Sequence, residues 1–302
     1  MIDPIALIEL TNLKAAGRLK ELATHPQLGM KPEWVENLAQ NKDPNVRSAL
    51  ARNPIIVNHP TIADALSTDE DSWARATLAQ NPIIVSFPEI IERLSSDQDP
   101  LVRSHLTRNP AIVTLPAVLD PLALDEVVWV RYQLARNRSL VSFPEIIERL
   151  SSDKEPTVRQ APAQNPIIAG SPEIIERLSS DQDPLVRRNL AHNPAIANHP
   201  KIAEKLTQKQ HLDVRESLAR NPAIASCPET IKRLSRDRSN YVRIVLAQNP
   251  AIASAPEAAA RLASDKNPDV RHNLARNSAM SSRAAGVQSL ETQQLIQKGP
   301  TL

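Results

Sequence analysis

The stretch 172–194, PEIIERLSSDQDPLVRRNLAHNP, decides the fold. Its first sixteen residues recur unchanged at 88–103, and the string FPEIIERLSSD stands at both 87–97 and 143–153. The offsets, 84 and 56, are multiples of 28, so whole units of that length were copied. The last nine residues of the stretch are the anchor of the unit, V-R-x-x-L-A-x-N-P or a close variant. Its Asn falls at Asn53, Asn81, Asn109, Asn137, Asn165, Asn193, Asn221, Asn249 and Asn277, 28 residues apart with no insertion or deletion. One period earlier His25 holds the place. A fixed period over most of a chain marks an array of stacked units, each contacting its neighbours.

Each column of the repeat has a physical job. A Leu follows the anchor by thirteen residues, from Leu38 through Leu66 and Leu94 to Leu262 and Leu290. Three and four residues before it stand mostly Ile, Val or Ala, as in Ile90-Ile91 and Ile174-Ile175. That spacing is one apolar stripe of a short helix. Ser-x-Pro-Glu at Ser86, Ser142, Ser226 and Ser254 predicts a capping box at its start, with Glu89, Glu145, Glu229 or Glu257 reaching back. Asp-Pro at Asp43, Asp99 and Asp183 predicts the N-cap and first residue of a second helix, with Val102, Leu106 and Thr107 on its buried face. This helix must stop at the Asn, because the following Pro disfavours a helical residue before it. An Ile three residues past the anchor, as at Ile56, Ile84 and Ile196, then plugs the turn into the core. The residues therefore give an all-α chain of about ten two-helix units, each helix about 8–10 residues long and unable to bury its apolar face alone.

Three polar columns recur. One is Arg47, Arg75, Arg103, Arg131, Arg159, Arg187, Arg215, Arg243 and Arg271; a second is the anchor Asn. The third, six residues before the Arg, is Asp69, Asp97, Asp125, Asp153, Asp181, Asp237 and Asp265. A matched acidic column favours an internal ladder over a phosphate-binding track: Arg meets an Asp of its own or an adjacent unit, and Asn satisfies backbone groups at a helix end.

The candidate partner-binding column stands just before each anchor Asn: Arg52, Gln80, Arg108, Arg136, Gln164, His192, Arg220, Gln248 and Arg276. None is acidic. Four residues earlier lies a varied set, Ser48, Ala76, Ser104, Tyr132, Gln160, Arg188, Glu216, Ile244 and His272. A fixed frame with one variable face is how repeat arrays present a binding surface, although Arg, Gln and His also complement a helix C-terminus. Trp129, Tyr132 and Arg188 belong to the same candidate face, rings being natural anchors in a chain that is 2% aromatic. Around them the repeat is irregular: Pro121 falls inside a first helix, Pro162 replaces the Leu of a second, and Arg138 replaces the Pro after Asn137. The neighbouring Glu92-Arg93, Glu148-Arg149 and Glu176-Arg177 read as a solvated face.

The repeat resembles that of the leucine-rich repeat variant family, whose units carry D-P-x-V-R-x-x-L-A-x-N-P; the likeness covers residues 20–290. It implies a right-handed superhelix, an α-solenoid of alternating α- and 3₁₀-type helices related to HEAT-like arrays. The family unit is shorter, so the segment after Asn-Pro is longer here. A founding member holds a cysteine-ligated iron–sulfur cluster, and this chain, with only Cys227, has no residues to build one.

Composition narrows the function. Net charge is +2 from 36 basic and 34 acidic residues, so any electrostatic signal lies in where charges sit. Five Gly leave no phosphate loop, and the seven His show no metal spacing. No catalytic residue, cofactor or metal is expected. No long apolar run or leader pattern stands out, which makes the cytoplasm the default compartment and a membrane no partner. The expectation is one repeat domain over 1–302: a cap or partial repeat at 1–25, nine regular repeats at 26–277, and a C-terminal cap and tail at 278–302, with a last helix near 287–297 and a frayed end at Gly299-Pro300. Its expected role is a monomeric, non-catalytic protein-binding scaffold with a partner of acidic surface. The alternatives are a nucleic-acid-binding solenoid using the Arg/Gln column, and a relative of HEAT-like DNA glycosylases, for which only Asp125 beside Trp129 and Tyr132 offers a catalytic carboxylate.

Overall fold

The computed structural model describes residues 4–208 and 211–280, so Leu290 and the expected last helix lie outside the described residues. Every regular element among the described residues is helical. They fall into two compact units, Met1–Val158 and Arg159–Leu302. Each is a stack of the same three-part repeat: an A helix, a B helix and a five-residue 3₁₀ segment.

In the first unit the repeat is clearest in the A helix Pro60–Ser67, the B helix Ser72–Gln80 and the 3₁₀ segment Pro82–Ser86. In the second unit it is Pro172–Ser179, Pro184–His192 and Pro194–Asn198. The third element stands beside the two α-helices expected from the columns and agrees with the alternation that the family resemblance implies. The Pro after the anchor supplies its first residue, and the anchor Asn caps it: Asn53 accepts at Oδ1 from the Ile55 N–H at 3.0 Å, and Asn193 from Ala195 at 2.9 Å. Where Arg138 replaces the Pro, Asn137 still accepts from Ser139 at 2.9 Å and the segment Arg138–Ser142 forms, so the cap is sufficient.

The core columns are buried as expected. Leu38, Leu66, Leu94, Leu150, Leu178 and Leu262 are at most 3% exposed, and Ile56, Ile84, Ile112, Ile168, Ile196, Ile224 and Ile252 are fully buried. B helices end within two residues of the anchor except at Leu106, three residues short of Asn109. There the last turn tightens, the Arg108 N–H donating to His105 O at 3.2 Å.

The expected capping boxes do not form. The A helix starting at Pro88 has Phe87 at its N-cap, and those starting at Pro144, Pro228 and Pro256 have Phe143, Cys227 and Ala255; none of these side chains caps. The serines instead end the preceding 3₁₀ segments: Ser254 Oγ donates back to Ala251 O at 2.8 Å, and Ser226 Oγ to Ala197 O at 3.0 Å. The Asp caps are as expected, with Asp43, Asp99 and Asp183 accepting from the N–H two residues on.

The frame begins before the first regular repeat. Helix Pro4–Ala15 ends at Gly17, whose φ of 69° is the left-handed conformation that glycine adopts without strain. At the anchor position His25 Nδ1 accepts from the Gln27 N–H at 3.2 Å, as an Asn Oδ1 would. In the irregular region the A helix is divided into a 3₁₀ turn, Pro116–Val118, and a short helix, Leu119–Ala123, that contains Pro121. Helix Pro156–Gln164 continues through Pro162.

Candidate binding face

Two polar ladders hold the B helices in register. Within each unit the anchor Asn side chains, Asn53, Asn81, Asn109 and Asn137 in the first and Asn193, Asn221, Asn249 and Asn277 in the second, donate from Nδ2 to the carbonyls 30 and 28 residues back, in the preceding repeat: Asn109 to Ala79 O at 2.8 Å and Asn81 O at 3.0 Å, Asn221 to Ala191 O at 2.9 Å and Asn193 O at 3.1 Å. With Oδ1 capping the next segment, one buried amide satisfies groups on both sides of a repeat junction.

The Arg ladder runs the other way. Arg75 donates through Nε and Nη2 to the two oxygens of Asp97 at 2.6 and 2.9 Å, and through Nη1 to Asp69 O at 2.7 Å. The carboxylate partner is thus the Asp 22 residues ahead, while the Asp six residues behind accepts with its backbone. The same fork joins Arg47 to Asp69, Arg103 to Asp125, Arg131 to Asp153, Arg159 to Asp181, Arg215 to Asp237 and Arg243 to Asp265. Each Asp also accepts from the N–H two residues on, as Asp97 does from Asp99 at 2.9 Å. Hydrogen bonding to their Asp partners raises Arg47, Arg75, Arg103, Arg131 and Arg243 above the usual arginine range. Asp265 is held below the usual carboxylate range, chiefly by its bond from Arg243. For Asp181 burial pushes upward, but bonds from Arg159 and the Asp183 N–H and the charges of Arg159 and Arg187 pull it lower. Arg187 and Arg271 donate to the carbonyls of Asp181 and Asp265; Arg271 is the exposed member of the column.

Because Asp125 is a rung of this ladder, held by Arg103 Nε at 2.6 Å and Nη2 at 3.0 Å, its carboxylate is not an open group beside Trp129 and Tyr132. The A helices carry a further column of inter-repeat pairs that the sequence reading treated as a solvated face. Arg93 donates to Asp64 at 2.7 Å, Arg149 pairs with Asp120 at 3.2 Å, and Arg233 pairs with Glu204.

The column before each anchor Asn is exposed throughout. In the first unit it comprises Arg52, Gln80, Arg108 and Arg136, and in the second Gln164, His192, Arg220, Gln248 and Arg276. No ion pair among the described residues engages Arg52, Arg108 or Arg276. Arg136 lies 5.6 Å from the centroid of the Tyr132 ring, which stacks on Trp129 at 5.1 Å with the planes 24° apart. Trp129 is 50% exposed and Tyr132 half-buried.

The second column departs from expectation. Ser48, Ala76 and Ser104 are buried, because small residues there admit the neighbouring B helix. The column reaches solvent at Tyr132, Gln160, Arg188, Glu216, Ile244 and His272. In the second unit Arg188, His192, Glu216 and Arg220 line an open cleft of about 740 Å³ together with Gln164 and Asp213. The cleft is of mixed charge. Glu216 Oε1 accepts from Arg220 at 2.6 Å in an i,i+4 pair, and Gln248 donates to Asn273 at 2.8 Å, so these two members of the column are already engaged.

The sequence reading missed Trp73, which is 46% exposed on the B helix Ser72–Gln80. The signal was present: Trp73 and Trp129 stand two periods apart, at the same place in the repeat.

A solved structure, a leucine-rich repeat variant with a novel repetitive structural motif, superposes with a TM-score of 0.53 at 22% identity over 79% of this chain and 88% of its own. The chain has the leucine-rich repeat variant fold. No protein-family model matches it, and no curated protein does. In this leucine-rich repeat variant fold the ladders are the stacking device, and the exposed ends of the B helices are what varies. No described helix is long and apolar enough to cross a membrane.

Proposed function

We propose that the chain is a non-catalytic scaffold that binds an acidic protein surface through the exposed column at the ends of its B helices. The observation that carries this is the contrast between its two arginine columns. One is consumed inside the stack by Asp and backbone oxygen, while Arg52, Arg108 and Arg276, seven residues or fewer from ladder arginines, stand exposed with no ion pair among the described residues. Within each unit, helices held by the ladders present such cations and add weak charge contacts without ordering a loop on binding. The stack of Trp129 and Tyr132 beside Arg136 also suits a single-stranded nucleic acid, in which bases stack on rings and phosphates meet arginines.

Affinity capture with the purified chain tests the reading, scored in parallel for protein and nucleic acid. The expected result is an acidic protein retained at low salt, released by salt, and lost on Arg52→Glu/Arg108→Glu/Arg136→Glu. Full retention by that variant removes the column from the binding site. Salt-sensitive capture of nucleic acid alone transfers the function to the nucleic-acid reading.

A further inference from the structure

We propose that Trp73, Leu101 and Trp129 form an apolar row on the first unit that seats an extended protein segment with an apolar residue at every third position and carboxylates beside it. This narrows the partner and rests on the reading of the basic column as a protein-binding face.

The three residues share one place in the repeat, near the start of the consecutive B helices Ser72–Gln80, Pro100–Leu106 and Val128–Arg136. Trp73 and Trp129 are 46% and 50% exposed, with Leu101 half-buried between them. The chain has only three Trp, and two stand here with about half their surface in water, where they add little to the core. Both rings are braced. Trp73 meets the buried His105 edge-on at 5.5 Å, and Trp129 stacks on Tyr132. Rings fixed before binding lose little freedom when a partner covers them. The same column in the second unit reads Leu185, Asp213, Tyr241 and Asp269, so acidic residues break it there.

Seven residues further along the same three helical stretches stand Gln80, Arg108 and Arg136, all exposed. Two helical turns, about 11 Å, separate the rows on one face. The partner therefore needs apolar groups on one edge and negative charge on the other. Its repeat follows from packing. Adjacent packed helices lie about 8–10 Å apart, and three residues of polyproline II chain span about 9 Å. One turn of such a segment thus advances it by one repeat. A nucleic-acid strand fits less well, because Asp71 and Asp99, the caps of the first two helices, stand two residues from Trp73 and Leu101 and oppose phosphates along the apolar row.

The test uses the full chain and a fluorescein-labelled peptide of four Leu-Glu-Pro triplets, read by anisotropy and by tryptophan emission. The control peptide has the same composition with its leucines, glutamates and prolines in blocks. The triplet peptide should bind at least ~10-fold more tightly than the block peptide and shift the tryptophan emission. Trp73→Ser/Trp129→Ser and Arg108→Glu/Arg136→Glu should each weaken it by ~10-fold or more, and Lys201→Glu/Lys266→Glu, at exposed second-unit positions outside the column, should leave it unchanged. If the serine pair lowers the melting temperature, Trp73→Leu/Trp129→Leu keeps apolar area and should retain affinity within ~3-fold.

Equal binding of both peptides, or no binding below ~1 mM, overturns the proposal. Loss in the arginine pair with full affinity in the serine pair removes the apolar row but leaves the basic column as a protein-binding face. Tighter binding of a twelve-residue oligothymidylate, lost in both pairs, overturns the row and the protein reading together.

Discussion

At the scale of single residues, burial decides which arginines build the stack and which are left exposed. Arg75 and Asp97 have side chains 8% exposed, so removing one strands the other's charge away from water. Arg75→Met should cost about 3–5 kcal/mol, whereas Arg75→Met/Asp97→Leu should cost much less; urea unfolding of the single and double variants measures the difference. Two pH effects follow from shifted groups. Asp265 titrates below the ordinary carboxylate value of about 3.9 in the folded chain. Its stabilisation is therefore complete above about pH 4 and is lost as the pH falls through the lowered value. Burial favours the neutral form of His105, whose Nδ1 lies 3.2 Å from Ala76 O, and pulls its pKa below the ordinary histidine value of about 6.5. The unfolded chain then binds that proton first, so stability is full above about pH 6.5 and declines below it. Melting temperatures between pH 7 and 5 should fall less steeply in His105→Gln. The ladders were legible in the sequence because their columns do not vary. The pairing was not: the Asp of the matched column, six residues before Arg75, offers its carbonyl, and the carboxylate comes from Asp97, 22 residues ahead, an offset that only stacking creates.

At the scale of elements, caps and prolines set where helices begin and how well they close. Asp183 accepts from Leu185 N at 2.6 Å and Val186 N at 3.3 Å, so Asp183→Ala should cost about 1 kcal/mol. Ser86, which the sequence places in a capping box, ends a 3₁₀ segment and caps nothing. Ser86→Ala should stay within about 0.5 kcal/mol of the native chain in the same denaturant titration. The motif misled because Pro88, lacking an N–H, starts the A helix directly after Phe87, leaving the serine one residue too early. Pro162 is buried where other B helices place a fully buried Leu, such as Leu134 or Leu190. Pro162→Leu restores a backbone donor and an aliphatic side chain, and should stabilise by about 1–3 kcal/mol. An unchanged or lower unfolding midpoint would show that the proline is accommodated without loss. The A and B helices were legible from apolar spacing. The 3₁₀ segment was not, because five residues with one buried Ile carry no period of their own.

At the scale of the whole molecule, the array is a sum of neighbour interfaces, so its register matters more than its length. Deleting residues 60–87, one full period, brings Arg47 opposite Asp97 and sets the Ala51 and Asn53 carbonyls at the spacing where Asn109 Nδ2 donates. The shortened chain should keep its helical circular dichroism per residue and a cooperative melt, while deletion of 60–86 should lose both by breaking every ladder contact across the joint. The repeat, its frame and its internal ladders were open to reading from the sequence, since copying left them in plain columns. The apolar row at Trp73 and Trp129 was harder, because three residues spread over 57 positions become one surface only when the B helices stack. The central claim is that one arginine column builds the stack and the other is free to bind. Thermal melts of two triple variants, followed by circular dichroism, test it most directly. Arg75→Gln/Arg103→Gln/Arg131→Gln should lower the melting temperature by more than ~10 °C, and Arg52→Glu/Arg108→Glu/Arg136→Glu should leave it within ~2 °C of the native chain. Equal losses in the two variants, or a native melt for the ladder variant, would contradict the account.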